Sequence, residues 1–178
     1  MKMGNGWRRT EGISLCALMI LTVLAAFLCG CNTVTDYTTY QNEDFTAELS
    51  GELNGVPFVA VIAASNGGRE MSVAYLSSDS LAGIIVETHA DGTATVTRGE
   101  ISIPCDRSTV LGLLSPVSLL FDIGELQAVR KEGERTNLSF DGGGEMILSS
   151  EFRPLRVDFG DLSYEVVWWE TSKNEQTG

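Results

Sequence analysis

The feature that most constrains this chain is an alternation that mirrors itself about a two-residue turn. In "FTAELSGEL-NG-VPFVAVIAA" the pair Asn54-Gly55 separates two runs of alternating residues. Asn-Gly in that setting is the strongest short-range signal for a β-hairpin, because both residues accept the positive φ that a tight hairpin turn needs. Folding about it pairs Leu53 with Val56, Gly51 with Phe58, Leu49 with Ala60 and Ala47 with Ile62 on one, nearly all apolar, face. The other face pairs Glu52 with Pro57, Ser50 with Val59 and Glu48 with Val61. With a side-chain period of two, such agreement is hard to obtain by chance. Gly51 opposite Phe58 leaves bare backbone beneath a ring.

Three further hairpins follow the same logic. "FRPLRVDF-GD-LSYEVVWW" folds about Gly160-Asp161, pairing Phe159 with Leu162, Val157 with Tyr164, Leu155 with Val166 and Arg153 with Trp168. Its opposite face pairs Asp158 with Ser163, and Arg156 with Glu165 as a cross-strand salt pair. "TNLSF-DGGGE-MILSS" pairs Phe140 with Met146 and Leu138 with Leu148. "GIIVETHA-DG-TATVTRGEISI" folds about Asp91-Gly92, but its apolar parity breaks near Arg98-Gly99: Ala94 and Val96 are even, Ile101 and Ile103 odd. That break predicts a β-bulge with Gly99 in the left-handed region.

Between the two groups of hairpins lies "RSTVLGLLSPVSLLFDIGELQAVRKEGER", which has no alternation. From Val110 to Val129, 11 of 20 residues are large and apolar. Ser115-Pro116 reads as an N-cap followed by Pro at the first helical position, so two short helices are predicted, roughly 108–114 and 116–128. The order is five strands, an apolar helical insert, then four strands. The fold class is mainly β (α+β): an antiparallel meander that twist curls into a half-open β-barrel, with the insert closing its concave face.

The N-terminus sets the compartment. "MKMGNGWRRTEG" carries Lys2, Arg8 and Arg9 against Glu11, and is followed by the uncharged run Ile13 to Gly30. A basic start before a short apolar run reads as a secretory signal peptide, with an uncleaved helical anchor as the alternative. "Leu28-Cys29-Gly30-Cys31" resembles the bacterial lipobox, which implies a diacylglyceryl group on Cys31 and cleavage before it. Lipidation of Cys31 would tie the protein to the bacterial cell membrane from the extracytoplasmic side. Removing residues 1–30 leaves 9 Lys+Arg against 23 Asp+Glu, net −14. Such a surface repels nucleic acid and anionic headgroups, so membrane contact rests on the lipid. With Cys31 acylated, Cys105 has no intramolecular partner, and an ordinary core must hold the fold. The domain reading is a lipoprotein signal peptide at 1–30, a lipidated cysteine and polar tether at 31–44, the β domain at 45–170 and a disordered tail at 171–178.

The first hairpin, "YLSSDSLAGIIVETHADGTATVTRGEISIP", "GLLSPVSLLFDIGEL" and "RPLRVDFGDLSYEVVWW" together resemble, in pattern and order from about Phe45 to Trp169, the LolA/LolB and LppX/LprG group of envelope proteins. The resemblance implies a half-barrel with an apolar cavity that carries or receives acylated lipids or lipoproteins. It also covers lipoproteins of the GerS type, which act by binding a partner protein.

Residues with chemistry have plainer readings. His89, the only histidine, stands two residues before Asp91 at a hairpin tip, and no serine sits in a nucleophile elbow, so an exposed turn histidine outweighs a catalytic one. Cys105 reads as a small buried filler rather than a reactive thiol, and Asp106 and Asp122 as helix caps rather than a carboxylate pair. "DGGGE" precedes a strand, not the helix a phosphate cradle needs. No metal, cofactor or enzymatic activity is expected. Two functions remain. In the first, an apolar ligand such as an acyl chain lies between Leu49, Phe58, Ile62, Val157, Tyr164 and Trp168 of the sheet and Leu113, Val117, Leu120 and Phe121 of the insert. In the second, the insert completes the core, no ligand binds, and the acidic convex surface or Trp169 engages an envelope protein. Trp168 is expected to face inward; Trp169 faces outward, either beneath the tether or at a contact surface.

Overall fold

Eleven antiparallel strands form one sheet. The computed structural model describes residues 35–78 and 80–172. The expected signal peptide, Cys31 and the expected tail beyond Ser172 lie outside the described residues. From Tyr37 onward the chain forms one unit. The strands are β1 (Phe45–Leu53), β2 (Val56–Ser65), β3 (Glu70–Ser77), β4 (Ile84–Thr88), β5 (Thr93–Arg98), β6 (Ile101–Asp106), β7 (Leu126–Glu132), β8 (Arg135–Phe140), β9 (Glu145–Leu148), β10 (Pro154–Phe159) and β11 (Leu162–Thr171). One meander runs outward from β1 to β6 and a second runs inward from β7 to β11. The first and last strands therefore pair at the centre, while β6 and β7 are the edges of an open sheet. The protein is mainly antiparallel β, with a single short helix, α1 (Leu111–Ser118), among the described residues.

The hairpin about Asn54-Gly55 has the register its sequence predicts over all nine pairs, from Leu53–Val56 to Phe45–Ala64. Asn54 (φ 53°) and Gly55 (φ 74°) are both left-handed, the signature of a type I′ turn. Gly51 is required by its neighbours: a Cβ there would overlap the backbone oxygen of Ser163 and atoms of Tyr164.

Elsewhere the structure corrects the expected pairing. The parity break near Gly99 is a turn rather than a bulge. Arg98 pairs with Ile101, Gly99 has φ 60°, and the expected single bulged strand becomes β5 and β6. In β8–β9, Leu138 pairs with Met146 instead of Leu148. This two-residue shift preserves which side chains face the core, and it places the ring of Phe159 where a Cβ on Gly144 would be. Arg156 does face Glu165 across β10–β11, but its guanidinium contacts Asp158 at 3.6 Å.

The insert differs most from expectation. A 3-10 turn (Arg107–Val110) leads directly into α1, and Pro116 lies inside α1 rather than starting a second helix. Proline cannot donate to the carbonyl four residues back, which is that of Gly112. Ser115 Oγ donates to that carbonyl at 2.8 Å, so the group is satisfied without the missing N–H. The predicted helix 116–128 stops after Ser118, Gly124 takes φ 76°, and Leu126 onward becomes edge strand β7. There the ladder with β8, closed by a two-residue turn at Gly133-Glu134, satisfies backbone groups that a short helix would leave open at its ends.

The end of the expected tether also belongs to the fold. Residues Thr39–Asn42 form a 3-10 turn, and Tyr40 is 2% exposed. Its hydroxyl donates to the Leu120 carbonyl at 2.9 Å, and Gln41 Nε2 donates to the same oxygen at 2.7 Å. Strand β11 likewise runs through Thr171, the expected first residue of the tail.

Candidate functional site

The insert is fastened to the apolar face by three tyrosines from separate parts of the chain. Tyr75 of β3 donates to the Leu113 carbonyl at 2.8 Å, Tyr164 of β11 to the Pro116 carbonyl at 2.9 Å, and Tyr40 to that of Leu120. Burial pushes the Tyr75 phenol up to about 12. It also raises Tyr40 and Tyr164 well above the ordinary value, the latter with a further contribution from its neighbour Tyr40. Each phenol keeps its proton and acts as a donor.

Most of the expected ligand-lining residues are brought together, but they touch one another. Leu49, Ile62, Val117, Leu120 and Val157 are 0% exposed, and Phe58 and Tyr164 are 2% exposed. A side chain bordering a void wide enough for water would show exposed area toward it, and these show next to none. These side chains are covered by one another, as in a close-packed protein interior. Leu113 and Phe121 are half-buried at the margins of the insert. Beside Leu113 a surface hollow of about 360 Å³ opens toward Leu53, Val56 and Leu81.

Trp168 is not on the apolar face. Glu48 pairs with Trp168 and Leu49 with Val166, so Val167 is an extra residue in β11. A single extra residue exchanges the faces of everything beyond it. Trp168 therefore emerges on the opposite face, 39% exposed, with Nε1–H donating to Glu48 Oε2 at 3.0 Å. Trp169 takes the inward position instead. It stacks on Phe45 with centroids 4.0 Å apart, meets Tyr40 edge-on at 6.1 Å, and Phe45 in turn stacks on Phe121. The expected Arg153–Trp168 pair does not form, because the ladder ends at Arg156–Glu165, and Arg153 contacts Glu151 at 3.3 Å.

The remaining candidates do not converge. His89 is exposed, with Nε2 3.0 Å from Thr95 Oγ1. Asp91 does not orient it. Its Oδ1 accepts from the Thr93 hydroxyl at 2.6 Å and the Thr93 N–H at 2.9 Å, bonds that hold its carboxyl below the usual range. Cys105 is a half-buried free thiol paired across from Ala94. Asp106 precedes the 3-10 turn without a side-chain capping bond. Among the described residues no three His, Cys, Asp or Glu side chains group as metal ligands, and no helix is long and apolar enough to cross a membrane.

The face away from the insert carries an arrangement that the sequence reading missed. A cross-strand row runs Trp168–Glu48–Val61–Ala74–Ile85 through β11, β1, β2, β3 and β4. On one side lies the row Glu170–Thr46–Ala63–Ser72–Glu87, and on the other Glu165–Ser50–Val59. Exposed apolar side chains on this face include Trp168, Ile85 at 38% and Leu76 at 56%. Leu76, Val59 and Pro57 border a hollow of about 500 Å³. These five strands contain six carboxylates, Glu48, Glu52, Glu70, Glu87, Glu165 and Glu170, and no Lys or Arg. The signal was present in the hairpin register, which places Val59 and Val61 on the side of Glu48 and Glu52. The extra residue that adds Trp168 was not legible.

No protein-family model and no curated protein matches the chain. Among solved structures, the crystal structure of an uncharacterized conserved protein from Thermus thermophilus is similar, with a TM-score of 0.52 and 15% sequence identity over 78% of this chain and 85% of that one. The likeness is one of fold.

Proposed function

We propose that this chain is a lipid-anchored, extracytoplasmic interaction protein of a bacterial envelope, without enzymatic activity, whose half-open barrel is filled by its own insert. The observation that carries the reading is the closed interior: the residues expected to line a ligand cavity have their surface covered by one another, and three tyrosines fasten the insert over them. A domain whose interior is filled in this way works through its outside. The lipobox-like Leu28-Cys29-Gly30-Cys31 supports the anchor, and the LolA-like order of strands and insert supports the half-barrel. Asp91 Oδ1 accepts from Thr93, and His89 Nε2 lies against Thr95, so the two residues do not form the hydrogen-bonded pair that a His89-based mechanism would use.

Native mass spectrometry of the full chain, released from its host membrane in mild detergent, tests this. The expected mass is that of the chain from Cys31 with a diacylglyceryl group and no second lipid; a stoichiometric extra lipid would overturn the filled-core reading. A second reading, an acyl-chain carrier whose insert lifts, is favoured by the hollow beside Leu113, the place where insert and first hairpin part. In that case lipid is retained, and Leu113→Asp abolishes its retention.

A further inference from the structure

We infer that the outer face of β11-β1-β2-β3-β4 is the docking surface of this protein, and that its occupant is a protein surface with Lys and Arg around an apolar centre; this rests on the interaction-protein reading above. Three features of the face agree. Apart from Glu48, its middle row is apolar and partly exposed, through Trp168, Val61, Ala74 and Ile85. Exposed apolar patches with a polar rim mark contact sites, and tryptophan is enriched among the residues that dominate binding energy. The rows on either side carry Glu87 and Glu170, and Glu165, all exposed.

The charge of these strands is one-sided. The cations of the described residues, Arg69, Arg98, Arg107, Arg130, Lys131, Arg135, Arg153 and Arg156, all lie outside them. A face with six carboxylates and no cation repels acidic surfaces, including a second copy of itself and anionic lipid headgroups, and attracts a cationic rim. The Trp168 indole is held by Glu48, so the aromatic anchor is pre-positioned and little rotamer freedom remains to be lost on contact.

The sheet edges offer weaker alternatives. Strand β6 exposes Ile101 and Ile103, but Pro104 removes one N–H that an added strand would need. Strand β7 is exposed throughout and mixes Arg130 and Lys131 with Glu132.

The test places a photo-crosslinking amino acid at Ile85 or, separately, at Lys131 of β7 in the full chain, in host membranes. The expected result is a protein adduct from position 85 whose crosslinked segment contains Lys or Arg. Its yield should fall about tenfold in roughly 0.5 M salt and in a Glu87→Lys/Glu165→Lys/Glu170→Lys variant that melts at the unmodified temperature. If that variant melts early, Glu→Gln at the same three positions gives the same reading. An adduct through a neutral or acidic segment, to lipid or to a second copy, a yield indifferent to salt and charge, or no adduct at position 85 overturns the inference. An adduct at position 131 alone would leave the interaction-protein reading standing while removing this face from it, and no adduct at either position would remove both.

Discussion

The hairpins β1–β2 and β10–β11 both start from two-residue turns and end differently. In the first, nine consecutive pairs lead away from Asn54-Gly55 without interruption. In the second, the turn has Gly160 at φ 61° and Asp161 outside the positive region, as in a type II′ turn, and only four pairs follow before the ladder ends at Arg156–Glu165. Beyond that point Leu155 is an extra residue against β9 and Val167 an extra residue against β1. Both strands of the second hairpin answer to outer neighbours that pull them into different registers. A tight turn thus sets register only as far as the neighbouring strands agree with it, and a hairpin can splay beyond that. The bulge at Val167 puts Trp169 into the core and leaves Trp168 outside.

Substitutions can break or sharpen this contrast. The largest effect is expected at Gly51, where the uninterrupted hairpin lies against β11. Gly51→Val should cost about 3 kcal/mol or more in a urea titration, because its side chain meets Ser163 and Tyr164 backbone and Cβ atoms that cannot give way. Next come the two tryptophans. Trp169→Ala should cost about 3 kcal/mol and Trp168→Ala about 1 kcal/mol or less, and the reverse order would mean that β11 runs without its extra residue. Tyr164→Phe follows at about 1–2 kcal/mol, since it removes the donor to the buried Pro116 carbonyl.

The tyrosines also give the fastening of the insert an alkaline sensitivity; Tyr164 belongs to the second hairpin, and the first contains no tyrosine. Tyr40, Tyr75 and Tyr164 have raised values in the fold, whereas unfolded phenols titrate near about 10. The folded state then binds more protons than the unfolded one, so this contribution is present below pH 10 and lost as pH rises through the folded values, which for Tyr75 is about 12. Urea midpoints should decline from pH 10 upward, with tyrosinate absorbance rising late and together with unfolding. The turns come last, on a level with Trp168→Ala. Gly55→Ala and Gly160→Ala should each cost about 1 kcal/mol, for placing a Cβ in the left-handed region. A cost at Gly160 as large as that at Trp169 would show that the turn, not the outer strands, holds β11 in place.

Much of the candidate site was within reach of the sequence. The alternation in β1 and β2 already assigns Leu49, Phe58 and Ile62 to one face and Glu48, Glu52, Val59 and Val61 to the other, because side-chain direction in a strand follows parity. The identity of the insert was legible from its apolar density. Its conformation was not. Pro116 tolerates a helix interior because Ser115 supplies the missing donor, and residues 126–132 become a strand because β8 offers them a ladder.

Local chemistry by itself thus determined the mainly antiparallel β class, the two-residue turns and the face of most strand residues before any bulge, since these depend on φ preference and a period of two. Only the tertiary structure decided what lies beyond the bulges, that Tyr40 closes the core, that the interior is full, and that Trp168 joins the acidic outer face. Each of these depends on a neighbour far along the chain: β1 against β11, Tyr40 against Leu120, the insert against three tyrosines. Contacts between residues so far apart in sequence leave no periodic trace in either segment, so they become visible only when the sheet is assembled.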